Sequence, residues 1–134
     1  MTYFLNSGPI CTRDIETLWG TAAMPGYAEI PPETVYSWIT DGEAVLVDVR
    51  EAEELAQVRL KEAVHVAMSD FDPKAIPINT GKKVVFFCAQ GARSEQVGQY
   101  MVAQGLLPEA YNMAGGLMAW AEAGLPFETG ALSS

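Results

Sequence analysis

The sequence predicts an α/β domain built around a mainly parallel sheet, and three observations support this fold class. Residues 44–48 (AVLVD) and 83–88 (KVVFFC) are short apolar segments, typical of strands that are covered on both faces. Segments with helical spacing of apolar residues alternate with such strands. The length of 134 residues suffices for one hydrophobic core and is too short for two. We therefore expect a single α/β domain.

Five strands are predicted from the apolar pattern. Residues 44–48 and 83–88 should lie at the centre of the sheet, because they are apolar almost throughout. Residues 64–67 and 110–113 are weaker candidates of the same kind, and residues 28–30 are predicted to form a short edge strand.

The helices are predicted between these strands. The first opens at Pro31-Pro32, carries Val35, Trp38 and Ile39 on one face, and ends at Asp41-Gly42. Further helical segments are a short one over 51–57, a turn capped by Asp72 at 72–76, one over 94–103 and a last one over 116–123. The 94–103 helix presents Val97, Tyr100 and Met101 on one face.

Several other residues are interpreted as structural. Gly115-Gly116 is predicted to form a tight turn between a strand and a helix. Met101, Met113 and Met118 are predicted to lie in the core, and Trp120 should anchor the last helix.

The predicted domain spans residues 28–127 and is flanked by two extensions. In the N-terminal extension, residues 1–27, Ile15, Leu18, Trp19 and Ala22 form a helical apolar stripe that packs on the core or on a second copy. Monomer and homodimer therefore both remain open. The small, polar residues 128–134 are expected to fray.

Charge and hydropathy exclude several classes of partner. The chain has 17 acidic and 8 basic residues, a net charge of -9, which repels nucleic acid and anionic membranes. Its longest apolar run, residues 84–89, is far shorter than a membrane span, and the first residues lack the pattern of a secretory signal. We therefore expect a cytoplasmic protein with no nucleic-acid or membrane partner.

The two cysteines, Cys11 and Cys88, allow at most one disulfide, which a reducing cytoplasm disfavours. A metal site built from Cys11, Cys88 and the single His65 lacks the close ligand spacing of zinc sites. No metal and no cofactor are expected.

Cys88 follows a predicted strand and precedes a loop of small residues that leads to Arg93 and a helix. Such a loop can aim consecutive N–H groups at one point, where an anion binds. The helix N-terminus and Arg93 should then lower the pKa of Cys88 from about 8.5 to about 5 to 7. The alternative is that Cys88 is a small buried residue that ends a strand, but the polar loop after it does not fit simple packing.

Over about residues 29–127 the chain resembles the rhodanese family of sulfurtransferase domains. The resemblance rests on segments that occur in the family's order: 30–33 (IPPE), 45–51 (VLVDVRE) with Glu54, 85–94 (VFFCAQGARS), 111–116 (YNMAGG), Ala119-Trp120 and 124–126 (GLP). The family pattern Gly-His-Ile-x-Gly-Ala is replaced by VRLKEA at 58–63, and His65 is interpreted as a strand residue.

The resemblance implies a three-layer domain, with a five-stranded, mainly parallel sheet between helices. It implies that Cys88 carries a persulfide and that the amides of the active-site loop cradle it, with Arg93 facing an anionic substrate. The residues of this loop are Ala89, Gln90, Gly91, Ala92 and Arg93. Asp48, Arg50 and Ser94 are expected to support the loop.

The implied function is transfer of sulfane sulfur from a donor to a thiophilic acceptor. The donor is a small anion such as thiosulfate or a protein persulfide, and the acceptor is cyanide or a thiol, including a protein thiol. A non-catalytic sulfur carrier, sensor or binding module is the alternative. A phosphatase of the related fold is disfavoured, because four residues separate Cys88 from Arg93 where the phosphatase signature has five.

Overall fold

The computed structural model describes residues 25–77 and 81–129. Its strands are β1 (Tyr27–Ile30), β2 (Ala44–Asp48), β3 (Val64–His65), β4 (Lys83–Phe87) and β5 (Ala110–Met113). Its helices are α1 (Pro32–Thr40), α2 (Ala52–Leu55), α3 (Ala92–Ala103) and α4 (Gly116–Glu122). Two 3-10 turns cover Met68–Asp70 and Pro73–Ala75.

The five strands form one parallel sheet in the order β1-β5-β4-β2-β3. This confirms the predicted α/β class, the inner positions of β2 and β4, and the edge position of β1. Cys11 and the apolar stripe from Ile15 to Ala22 lie outside the described residues.

Residues of β2 and β4 alternate between two hydrophobic layers, as the two-residue repeat of a strand requires. Leu46 and Phe87 face the layer that contains Val35 of α1 and Trp120 of α4. The opposite layer contains Val47, Phe86, Val97 and Met101. The central strands are therefore covered on both faces, which explains why their sequences are apolar almost throughout.

Three elements differ from their predicted bounds by two residues at one end. β3 ends at His65 and not at residue 67, because the chain then enters the 3-10 turn at Met68–Asp70. α3 begins at Ala92, two residues early, because Gly91 at its N-cap has a φ of 103° and turns the chain into the helix. α2 is a single turn, and Glu51 and Glu54 form a capping box at its start.

The prediction that Met118 lies in the core is wrong. Its side chain is 54% exposed, because the short α4 buries only Gly116, Leu117 and Trp120. Trp120 is 1% exposed and its indole N–H donates to the carbonyl of Pro126, as expected of an anchor. Met101 and Met113 are buried as predicted.

Residues 58–63, where the family pattern is replaced, still form an ordered turn. The N–H of Ala63 donates to the carbonyl of Leu60 at 3.1 Å, so the turn closes without a glycine. Next to it, Arg59 and Glu128 exchange two backbone hydrogen bonds of 2.8 Å. These bonds tie the start of the C-terminal segment to the domain.

The helices within the described residues are too short and too polar to span a bilayer.

The turn at Gly115-Gly116 locks the start of α4 to the segment after β4. The N–H of Leu117 donates to the carbonyl of Cys88 at 2.8 Å, and the N–H of Met118 donates to that of Ala89 at 3.0 Å. A Cβ atom on Gly116, whose φ is +64°, would lie 2.4 Å from the Cys88 carbonyl oxygen. Only glycine fits this position.

We predict that Gly116→Ala lowers the free energy of unfolding by about 3 kcal/mol or more, through the backbone clash and the positive φ. Gly42→Ala is the matched control, because Gly42 also has a positive φ but a Cβ there meets nothing within 4 Å. Gly42→Ala should lower the free energy of unfolding by about 1 kcal/mol. Urea unfolding measures both, and equal losses would contradict the close-packing argument.

Candidate active site

Cys88 lies at the carboxyl edge of the sheet, where ligands of open parallel sheets bind. It directly follows β4, and the last residues of β2 and β4, Asp48 and Phe87, are paired in register. The residues after Cys88 loop over its side chain and enter α3 at Ala92.

Hydrogen-bond donors converge on the sulfur of Cys88. The N–H of Gly91 lies 3.1 Å from Sγ, the N–H of Ser94 lies 3.5 Å away and the hydroxyl of Ser94 lies 3.4 Å away. Cys88 itself is only 1% exposed, and it also contacts the apolar layer beneath α3. The side chain is therefore buried, but its sulfur has polar partners that a merely apolar cysteine does not need.

The pKa of Cys88 lies below its ordinary value. Burial alone raises it, because desolvation penalises the thiolate, but hydrogen bonds from the Ser94 hydroxyl and from the N–H groups of Ser94, Gln90 and Gly91 lower it further than burial raises it. The direction agrees with the prediction from sequence. The contribution of the Ser94 hydroxyl was not predicted.

The loop residues differ in their access to solvent. Gln90 is exposed, Ala89 is partly buried and Gly91 is buried against the Gly115-Gly116 turn. The exposed part of the loop next to Cys88 is therefore at Gln90.

Arg93 forms a bidentate ion pair with Glu54 of α2. Its two terminal nitrogens lie 2.8 and 2.9 Å from the two carboxylate oxygens. Hydrogen bonding from Arg93 is the main reason why the pKa of Glu54 falls to about 2, and Glu54 in turn raises the pKa of Arg93. The positive charge that was expected to face an anionic substrate is thus paired mainly with Glu54, a residue that sequence reasoning did not place in the site, and to a smaller extent with the Cys88 sulfur.

Asp48 and Arg50 form a buried ion pair next to the site. Arg50 Nη2 lies 2.8 Å from Asp48 Oδ2 and 2.7 Å from the carbonyl oxygen of Val58. The backbone carbonyl of Arg50 accepts from Nε2 of His65 at 2.7 Å. The pair therefore secures the segment that carries α2 and Glu54, so any support for the loop is indirect. His65 lies in β3, as interpreted from sequence.

Behind the loop, Ser94 contacts a buried amide that the sequence did not single out. The Ser94 hydroxyl lies 2.5 Å from Oδ1 of Asn112, which is 1% exposed. The Asn112 Nδ2 group donates to the carbonyl of Gly91 at 3.1 Å and to the carboxylate of Glu29 at 3.0 Å. The signal available in the sequence was a polar residue within the apolar strand 110–113.

Among the described residues, no cluster of three or more His, Cys, Asp or Glu side chains is arranged to hold a metal ion.

Comparison with known proteins places these features in a family context. The sequence profile described as "Rhodanese-like domain" matches residues 31–123. A sulfurtransferase of Allochromatium vinosum is 36% identical over 99 residues, which cover 73% of this chain and 92% of the relative. The thiosulfate sulfurtransferase GlpE of Actinobacillus succinogenes is 31% identical over 103 residues, covering 77% and 92%.

Solved structures show the same fold. The crystal structure of a rhodanese-related protein from Thermoplasma volcanium has 26% identity and a TM-score of 0.66, and the match covers 76% of this chain and 98% of that one. A rhodanese-like domain protein from Staphylococcus aureus has 27% identity and a TM-score of 0.63, with 76% and 99% covered.

We predict that Ser94→Ala raises the pKa of Cys88, so that its acid dissociation constant falls about two- to threefold, because the thiolate loses a hydroxyl donor that it shares with Asn112. Alkylation requires the thiolate, so its rate should begin to rise at a higher pH than in the parent protein. The alkylation rate of Cys88 against pH, measured in a Cys11→Ser background, checks this. Ser37→Ala, on the exposed side of α1, is the control and should leave the profile unchanged.

Proposed function

The chain belongs to the rhodanese-like domain family, and on this premise we propose that it is a sulfurtransferase that carries sulfane sulfur as a persulfide on Cys88. Relatives named as sulfurtransferases support the class of activity. One observation supports the role of Cys88 most strongly: three hydrogen-bond donors from Gly91 and Ser94 surround a buried sulfur. Such a cradle stabilises negative charge on sulfur.

In the first step, the Cys88 thiolate attacks the outer, sulfane sulfur of the donor. A new S–S bond forms on Cys88 while the donor's own bond to that sulfur breaks. The bonding electron pair leaves with sulfite when the donor is thiosulfate, or with a thiolate when the donor is a persulfide. Because the thiolate is already stabilised, this step needs no general base.

In the second step, an acceptor such as a thiolate or cyanide attacks the terminal sulfur of the persulfide. The S–S bond on Cys88 breaks, and its electrons return to the Cys88 sulfur as a thiolate. The donors that stabilise the resting thiolate also make it a good leaving group. The same cradle therefore serves both steps, and the cycle needs no metal or cofactor.

Two features of the site favour sulfur over phosphate as the transferred group. The Gly91 N–H lies 3.1 Å from Sγ, so the loop closes directly on the sulfur. The guanidinium of Arg93 binds Glu54 through both terminal nitrogens, whereas phosphate binding at a Cys-loop needs that fork for the phosphate oxygens. A phosphatase is therefore disfavoured, as the loop length already indicated.

The Arg93–Glu54 pair also bears on the choice of sulfur donor. Thiosulfate is a dianion, and a chain with a net charge of -9 and a neutralised Arg93 offers it little attraction beyond the loop amides. A persulfide donor carries less charge, and a basic protein donor would be attracted by the acidic surface. We propose that persulfides are better donors than thiosulfate for this chain.

We predict that Cys88→Ser abolishes sulfur loading and transfer to cyanide or a thiol, whereas Cys11→Ser retains most of the activity. Cys88 has the cradle described above, whereas Cys11 lies outside the residues that the structure describes. The measurement is a gain of one reducible sulfur atom by mass spectrometry after incubation with thiosulfate or a persulfide, together with initial rates of transfer.

Multiple turnovers with the parent protein are expected of an enzyme, whereas a carrier or sensor would load once and release slowly. Comparable losses in the two cysteine variants would point to a relay between them and overturn the assignment.

We predict that Glu54→Gln raises kcat/KM for thiosulfate about three- to tenfold, because the charge of Arg93 is no longer neutralised. Glutamine can retain the hydrogen bonds of the α2 cap, so the fold should remain intact. Glu53→Gln is the matched control, since it removes the same charge from the neighbouring exposed residue. A fall in kcat/KM for Glu54→Gln would show instead that Glu54 holds Arg93 in a productive position.

A further inference from the structure

The hydroxyl group of Ser94 has more acceptors than it has protons. Its oxygen lies 2.5 Å from Asn112 Oδ1, 3.3 Å from the carbonyl of Gly91 and 3.4 Å from the sulfur of Cys88. A serine hydroxyl donates one proton, so only one of these acceptors receives it at a time.

The orientation of the Asn112 side chain decides which acceptor that is. Its Nδ2 group lies 3.1 Å from the carbonyl oxygen of Gly91 and 3.0 Å from a carboxylate oxygen of Glu29. Both neighbours are acceptors, so the nitrogen must face them and the amide oxygen must face Ser94. Glu29 is itself held by a hydrogen bond from the hydroxyl of Tyr27.

This network favours Asn112 over Cys88 as the acceptor of the Ser94 proton. The amide oxygen can only accept, it is buried, and Ser94 is its partner at 2.5 Å. If the hydroxyl turns toward Cys88, the amide oxygen loses that partner, which is costly for a buried polar group. The carboxylate charge of Glu29 strengthens the arrangement, because hydrogen bonds in a chain polarise one another.

We propose that Asn112, oriented by Glu29, is a positioning residue that competes with the Cys88 sulfur for the hydroxyl proton of Ser94. The loop amides stabilise the thiolate, while Asn112 draws one further donor away from it. The sulfur thus stays more basic, and a more basic thiolate is the stronger nucleophile. The inference rests on the proposed role of Cys88 as the sulfur acceptor.

The other charged groups around Cys88 have carboxylate partners. Arg93 of α3 is paired with Glu54 of α2 and also interacts with the Cys88 sulfur, and Arg50 is paired with Asp48 at the end of β2. Glu29 of β1 reaches the sulfur only through Asn112 and Ser94. A change at Asn112 therefore acts on Cys88 through Ser94, or through the Gly91 carbonyl that Asn112 also binds.

The test is a double-mutant cycle on the full chain in a Cys11→Ser background, so that Cys88 is the only thiol. Ultraviolet absorbance of the thiolate against pH gives the acid dissociation constant of Cys88 without any sulfur donor. Failure of this inference is therefore distinguishable from failure of the proposed function, which sulfur loading tests.

Asn112→Ala should increase the acid dissociation constant about three- to tenfold, since Ser94 is then free to donate to the thiolate. In a Ser94→Ala background the same substitution should change it less than twofold, because contacting residues that act together are not additive. The proposal is overturned if the acid dissociation constant of Cys88 is unchanged or reduced in Asn112→Ala. It is also overturned if Asn112→Ala changes this constant equally with and without Ser94, because Asn112 would then only stabilise the loop.

Asn112 is buried, so Glu29→Gln at the exposed end of the network provides a second test that spares the core. Glu29→Gln removes the charge that polarises Asn112. It should increase the acid dissociation constant of Cys88 by about twofold, again only when Ser94 is present. Glu122→Gln, at the far end of α4, is the matched control for the loss of one charge. A shift of the same size in this control, or no shift with Glu29→Gln, would count against the proposal.

Discussion

In the proposed mechanism the Cys88 sulfur must carry negative charge while it is buried, and the rest of the site depends on this constraint. Cys88 is 1% exposed, and without donors such burial would keep its thiol protonated. The loop after β4 meets this demand with backbone N–H groups, which need no side chain and are fixed by the fold. The tight turn at Gly115-Gly116 supports this loop, because the N–H groups that follow the turn bind the carbonyls of Cys88 and Ala89.

The cationic side chains at the site are paired with carboxylates, so an anion is attracted mainly by the dipoles of the backbone N–H groups. Arg93 is matched by Glu54, and Arg50 by Asp48, so each cation near the loop has its own carboxylate. Backbone amides act only at short range, whereas the net charge of -9 acts at longer range and is screened by salt. The site can thus stabilise a sulfur anion at contact in a protein that repels anions at a distance.

Most of the fold could be predicted because its determinants are local in the sequence. The apolar segments of β2 and β4, the helical spacing in α1 and the loop between Cys88 and α3 each lie within about a dozen neighbouring residues. The errors have equally local causes. Met118 falls at an apolar position, yet α4 is too short to bury more than one side of itself. Periodicity shows which face is apolar, but not how much neighbouring structure covers it.

The residues that we propose to tune the site could not be predicted, because their contacts join distant parts of the chain. Glu54 and Arg93 are in contact although they are 39 positions apart in the sequence, and Glu29 and Asn112 are 83 positions apart. Each pair exists only because parallel strands bring their carboxyl ends, and the elements that follow them, to one edge of the sheet. Asn112 could be recognised only as a polar residue in an apolar strand, which predicts a hydrogen-bonded partner without naming it. Local sequence therefore points to the proposed nucleophile, whereas the groups that contact its surroundings follow from the strand order.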